Sequence, residues 1–218
     1  MSPRPSDGST PPEPPDAIVA VPEIRDYDLI NKELAQLLSD GARRIVLNGV
    51  DGQRLLASKL RGPWVATIEV DGHAGPELAA ELDAPGLTIS CRGSAADGAA
   101  RSLQAGRVVI EGDAGESLGY ALRGGLVLVR GATGHRAGLM QAGGIIVLAG
   151  KVGRLANERQ TGGSFHAWRH LIGPYVSRGR RGGQVVLNGP DAELPLNDID
   201  RLEAFLRAER NPLRPPEE

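Results

Sequence analysis

A single cysteine, Cys91, stands in a chain of 218 residues. It excludes an internal disulfide and any four-cysteine zinc or iron–sulfur site. Aromatic residues are scarce too: two Trp, three Tyr and two Phe, too few for a core built on large rings. No apolar run approaches the ~18–20 residues a membrane-crossing helix needs. Neither charge sign dominates. The formal net charge is -2, so no global field recruits nucleic acid or an acidic substrate. The stretch from Met1 to Asp16 is rich in proline and polar residues and has no apolar h-region. A secretory signal is therefore not expected, and a cytoplasmic location is. Glycine, by contrast, is abundant at 30 residues, and its placement is periodic.

A short β-branched run followed by Gly-x-x-Gly recurs about every nineteen residues. Arg107-Val-Val-Ile-Glu111 leads into Gly112 and Gly115, Leu126-Val-Leu-Val-Arg130 into Gly131 and Gly134, and Ile145-Ile-Val-Leu-Ala149 into Gly150 and Gly153. Upstream, Thr67 to Asp71 leads into Gly72 and Gly75, and Arg44 to Asn48 into Gly49 and Gly52. The first glycines at 72, 93, 112, 131 and 150 are spaced by 21, 19, 19 and 19 residues. A fixed period in this range marks a repeat architecture.

Each unit holds about five strand residues, too few to bury an apolar side alone; stacked copies share one core. Identical strands then lie in parallel about 4.8 Å apart, with glycine at corners that need φ > 0 or close backbone approach. A doubly wound α/β sheet would need a crossover helix of about a dozen residues per unit. The linkers here carry three or more glycines each, and each glycine costs a helix up to about 1 kcal/mol. The expected fold is all-β: a single-stranded, right-handed parallel β-helix of about seven rungs with short N- and C-terminal capping helices. Val108, Ile110, Val127, Val129, Ile146 and Leu148 are the expected inward ladder positions.

The expected organisation is a disordered proline-rich tail over 1–27, an N-terminal helix and cap over 28–41, the repeat array over 42–190, a C-terminal helix and cap over 191–212, and a tail over 213–218. Ile30, Leu34, Leu37 and Leu38 share one helical face, with Asp28 as N-cap and Gly41 at the end. Ile199, Leu202, Phe205 and Leu206 share another, stopped by Asn211-Pro212.

The units Glu111-Gly-Asp-Ala-Gly-Glu-Ser-Leu-Gly119 with Gly124-Gly125, and Arg130-Gly-Ala-Thr-Gly-His-Arg-Ala-Gly138 with Gly143-Gly144, resemble the glycine-rich GXGXG β-helix domain of the glutamate synthase large subunit. The module is also similar to the glycine-rich β-helix subunits of formylmethanofuran dehydrogenase and of the formyltransferase/hydrolase complex, and to the small subunit of N-methylglutamate synthase. Leu29-Ile-Asn-Lys-Glu-Leu34 resembles the short helix preceding the array in several of these. The resemblance spans about 28–190. It implies a non-catalytic scaffold that packs against amidotransferase-like, flavin-barrel-like or formyltransferase-like subunits and positions them. Any flavin or iron–sulfur cluster then belongs to those partners, with no cofactor, nucleic acid or membrane partner for this chain. Gly49, Gly52, Gly72, Gly75, Gly93, Gly112, Gly115, Gly119, Gly131, Gly134, Gly138, Gly150, Gly153 and Gly189 are expected as structural turn glycines.

Two units depart from the pattern. After Gly93 the second glycine is missing, with Gly98 two places late. After Gly163 the pattern lapses until Gln184-Val-Val-Leu-Asn188 and Gly189 restore it. The lapsed unit holds Phe165, His166, Trp168, Arg169, His170, Tyr175 and Arg178, the residue types concentrated at interface hot spots. They read as a docking surface, with an aromatic end closure and an anionic-ligand pocket as the other readings. His166 and His170 at i, i+4 lack an evident third metal ligand. Ser164 does not sit in a Gly-x-Ser-x-Gly elbow, so a hydrolase built on 164–181 is the weaker alternative. No catalytic residue and no metal site are assigned. Cys91 reads as a small core residue.

Overall fold

The computed structural model describes residues 15–21 and 26–209. Residues 1–14 and 22–25 of the tail expected over 1–27, the tail expected over 213–218, and the stop at Asn211-Pro212 lie outside the described residues. The chain forms β1 (Ala17–Ala20), α1 (Tyr27–Ser39), then β2 (Arg44–Asp51), β3 (Ala66–His73), β4 (Asp83–Cys91), β5 (Ala105–Ile110), β6 (Leu126–Val129), β7 (Ile145–Leu148), β8 (Ser164–Trp168) and β9 (Gln184–Asn188), and ends in α2 (Ile199–Glu209). Every strand pairs in parallel with the next, in the order β1 to β9. The chain is thus a parallel β-helix, with seven turns between β2 and β9.

Strand β1 corrects the expected tail over 1–27. Ala17 pairs with Ile45 and Val19 with Leu47, and Val19 and Val21 are buried. The Asp16 carboxylate fixes the start of this strand by accepting the Arg43 and Arg44 backbone N–H groups at 2.6 and 2.9 Å.

Two inward ladders fill the coil. One runs Ile45, Ile68, Ile89, Val108, Val127, Ile146, Phe165, Val185; the other runs Leu47, Val70, Cys91, Ile110, Val129, Leu148, Ala167, Leu187. The six inward positions chosen from sequence all lie in this core. Strand alternation sends the residues between them outward. In β3 and β4 the outward residues are polar: Thr67, Glu69, Thr88 and Ser90. In β6 and β7 they are Leu126, Leu128, Ile145 and Val147, and all four are buried.

The cover over that second apolar face is α2. Leu202 and Leu206 join Val109, Leu126, Leu128, Ile145, Val147 and Trp168 in a separate cluster. Arg107 anchors the helix through Asp200 and Glu203, both at 2.7 Å, and Arg130 donates to the Leu196 carbonyl at 2.7 Å. This corrects the expected C-terminal cap. The helix exists, but four-residue strands apolar on both faces need a flank cover, so it lies along the side of the coil rather than over its end.

The turn glycines act mainly by close approach. A Cβ on Gly131 would stand 2.5 Å from the Gly112 carbonyl oxygen, and one on Gly150 would stand 2.2 Å from that of Gly131. Left-handed backbone is used elsewhere. In each return segment three residues at i, i+2 and i+4 have φ > 0, as at Glu77, Ala79 and Glu81, or Arg136, Gly138 and Met140, or Tyr175, Ser177 and Gly179. Most are not glycine, at a local cost of about 1–2 kcal/mol each. Fixed hydrogen bonds between turns offset that cost. The outer two N–H groups donate forward, as from Ser117 to His135 and from Ala121 to Leu139; the middle one donates back, as from Gly119 to Ala99. Gly98, at φ 71, is the first member of such a triplet and not a displaced second glycine.

Candidate docking surface at the last turns

The lapsed unit keeps register because β8 replaces aliphatic residues without shifting the ladder. Phe165 stacks on Ile146 and Ala167 on Leu148, both inside the coil. Ser164, His166 and Trp168 point to the flank, where each is buried and Trp168 lies in the cluster under α2. Of the seven residues expected at an interface, Phe165, His166 and Trp168 are therefore spent on packing within the chain. Arg169, His170, Tyr175 and Arg178 are exposed, Tyr175 by 67%.

The exposed members lie on a basic surface. From Arg159 to Pro190 the chain carries five arginines and no carboxylate. Arg44, Arg92, Arg101, Arg107, Arg130 and Arg207 make ion pairs with carboxylates; among the described residues Arg169, Arg178, Arg180 and Arg181 make none. Tyr175 and Arg178 also line a cleft of about 500 Å³ with Glu116, His135, Arg136, Arg154 and Leu155. His135 is held there by its Nδ1, which accepts the Arg154 backbone N–H at 3.2 Å.

The interior becomes polar towards the same end. Leu103 and Leu122 hold one corner of the coil, and Gln141 and Gln160 hold it in the next two turns, all buried. The Gln141 Nε2 donates to the Ser164 carbonyl at 3.0 Å, and that of Gln160 to the Gln184 carbonyl at 3.2 Å. The middle left-handed position changes from Ala100 and Gly119 to Asn157 and Ser177. The nineteen-residue spacing of Gln141 and Gln160 is the sequence signal of this change, and the glycine pattern alone does not reveal it.

The other candidate groups are structural. Cys91 is fully buried, its Sγ lies 3.6–3.7 Å from the Gly72, Gly93 and Ser94 carbonyl oxygens, and burial pushes its thiol up. A thiol so raised and enclosed is a poor nucleophile. His166 is buried and His170 exposed, so the pair shares no face. Among the described residues no group of three His, Cys, Asp or Glu side chains could hold a metal ion. None of their helices is long and apolar enough to cross a membrane. Compared with protein-family models, curated proteins and solved structures, the chain matches none.

Proposed function

We propose that this chain is a non-catalytic β-helix scaffold subunit of a multisubunit enzyme, of glutamate-synthase or amidotransferase-like type, packing against catalytic subunits and positioning them. The observation that carries the reading is the division within the lapsed unit. Its chemically capable side chains, Ser164 and His166, are buried on the flank that α2 covers, while its exposed residues form an arginine-rich surface. Acid–base or nucleophilic catalysis needs groups that reach a substrate; docking needs exposed guanidinium and aromatic anchors. A formyltransferase/hydrolase or formylmethanofuran dehydrogenase type of host is the second reading and rests on the same repeat resemblance. A stand-alone hydrolase on 164–181 would require α2 to leave its seat. In either host, flavin or iron–sulfur chemistry belongs to the partner subunits.

The test is co-purification of the tagged chain with the products of its neighbouring genes, with esterase and amidase assays on the chain alone. A stable complex with amidotransferase-like or flavin-barrel-like subunits, and no turnover by the chain alone, is the expected result. Turnover that vanishes in Ser164→Ala would replace the scaffold reading with the hydrolase.

A further inference from the structure

In every turn but the last, the outer N–H groups of the left-handed triplet donate to the turn that follows: Leu55 to Pro76, Glu77 to Asp97, Arg136 to Arg154, Leu155 to Pro174. Tyr175 and Gly179 occupy those positions in the last turn, and among the described residues their N–H groups have no acceptor. The same break occurs along the sheet. The Gln184 N–H donates to Gly163 and the Asn188 carbonyl accepts from Arg169, so 184, 186 and 188 face β8. By alternation, the backbone groups of Val185 and Leu187 point to the free edge. The final ladder members Val185 and Leu187 are only half-buried. An uncovered edge of this kind templates the addition of another strand.

Charge selects the occupant. Arg169, Arg178, Arg180 and Arg181 are all exposed in the last turn. No carboxylate lies between Arg159 and Pro190, and the acids Asp191 and Glu193 follow β9, so the last turn itself is cationic. A second copy docked through the same edge would bring two such basic ends together, which like-charge repulsion opposes. Residues 210–218 contain Pro212, Pro215 and Pro216, and proline lacks the N–H a ladder needs. We propose that the C-terminal end of the coil takes an acidic, extended segment of a partner protein as a tenth strand along β9; this rests on the scaffold reading and specifies how a catalytic subunit is held. The segment's alternate residues continue the Val185 and Leu187 ladders, its backbone pairs with the free edge, and its carboxylates meet the arginines.

Two labelled synthetic peptides of about seven residues serve as probes on the full chain: one alternates glutamate with valine, the other lysine with valine. Fluorescence anisotropy reads binding, and amide hydrogen exchange reads its location. The glutamate peptide is expected to bind, to weaken as salt rises, and to slow exchange at Val185 and Leu187. Arg178→Glu with Arg181→Glu, at two exposed positions, should weaken it at least about tenfold with an unchanged circular dichroism spectrum. Leu187→Pro should abolish it by removing an outward N–H while sparing the bonds to β8. The idea is overturned if neither peptide binds, if both bind equally, or if protection appears at β1 instead. A dimer that Leu187→Pro dissolves would assign the end to a second copy and overturn it as well. If the double arginine variant still co-purifies with the catalytic subunits, the strand-addition idea fails and the scaffold reading stands. If the glutamate peptide binds but the chain alone hydrolyses esters, the scaffold reading fails and the edge site stands.

Discussion

At the N-terminal end, α1 lays Ile30, Leu34 and Leu38 onto the coil core, each nearly or fully buried. One side chain of this helix also imitates a missing turn. The middle triplet position of the first turn, Ala57, has no earlier turn to donate to, and the Asn31 Oδ1 accepts its N–H at 2.8 Å. Asn31 Nδ2 then donates to the Leu55 carbonyl at 2.9 Å and to Ser58 Oγ at 3.1 Å. At the C-terminal end the corresponding helix, α2, has gone to the flank, and the Tyr175 and Gly179 N–H groups face outward. Stacked repeats leave unsatisfied backbone groups at both ends, the middle N–H of the first triplet and the outer two of the last, so an end closed by the chain's own helix and an end left to solvent mark different duties. Capping secures the solubility and folding of the array; the open end retains its pairing capacity.

The largest expected contrast comes from one ladder. Leu47 and Leu187 are its equivalents near the two ends. Leu47→Ala should cost about 2–5 kcal/mol, because the buried site cannot collapse around the loss. Leu187→Ala should cost less, about 1–2 kcal/mol, because its site is already partly open to solvent. Equal shifts in urea-unfolding midpoint would show that both ends are equally covered.

A smaller contrast comes from corner glycines. Gly131→Val pushes a side chain into the Gly112 carbonyl and should cost about 1–3 kcal/mol. At Gly189 an added Cβ meets nothing within 4 Å, so Gly189→Val should leave the thermal midpoint within about a degree or two of wild type. A midpoint unmoved by Gly131→Val would count against close packing of the turns. Asn31→Ala leaves the Ala57 N–H without its acceptor and should cost about 1–3 kcal/mol. By amide exchange, Ala57 should be protected in the wild type and fast in the variant, while Tyr175 and Gly179 exchange fast in both.

Much of the fold is legible in the sequence, but the open C-terminal end is not, because helices are expected as caps at both ends. Period nineteen gave the stacked strands, the alternation in Val108-Val-Ile110 and its equivalents gave the inward ladders, and the i, i+4 spacing of Ile30 and Leu34 gave the cap. The flank position of α2 was less visible, since its apolar face would suit an end equally well. The signal lay in β6 and β7, where Leu126-Val-Leu-Val129 and Ile145-Ile-Val-Leu148 are apolar at every position and so need cover on both sides. Strand β1 was hidden by the proline-rich stretch before it. The left-handed triplets were unreadable in principle: Glu77, Lys59 and Met140 disfavour φ > 0, and only the ladder of bonds between turns holds them there. In sequence Phe165 and Trp168 look like surface anchors, because an aromatic in a lapsed repeat resembles a partner contact; the register from Ile146 and the arrival of α2 bury them instead.

The smallest expected effect concerns what keeps α2 on the flank and so leaves the end open. Burial pushes the Glu203 carboxyl up, but hydrogen bonds from Arg207 and Arg107 outweigh it and hold it below its ordinary value. A carboxyl lowered in the folded state binds fewer protons there than in the unfolded chain, so its contribution is complete above the unfolded value, about 4.3 for glutamate, and is lost as pH falls through the folded value. Asp16, lowered by the Arg43 and then the Arg44 backbone N–H groups, and Glu69, lowered by Arg44 and Arg92, follow the same sign at the other end, so acid alone does not isolate α2. Glu203→Gln does. In a Trp64→Phe background, Trp168 is the one remaining tryptophan and reports α2 docking from beneath it. Its emission should shift to the red as pH falls below about 4, with Leu202 and Leu206 still limiting the change. Glu203→Gln should show a small red shift already at neutral pH and a flatter acid profile. Identical profiles for the two proteins would mean that apolar packing alone seats the helix and that the Arg107 anchor is a solvated ion pair of little consequence.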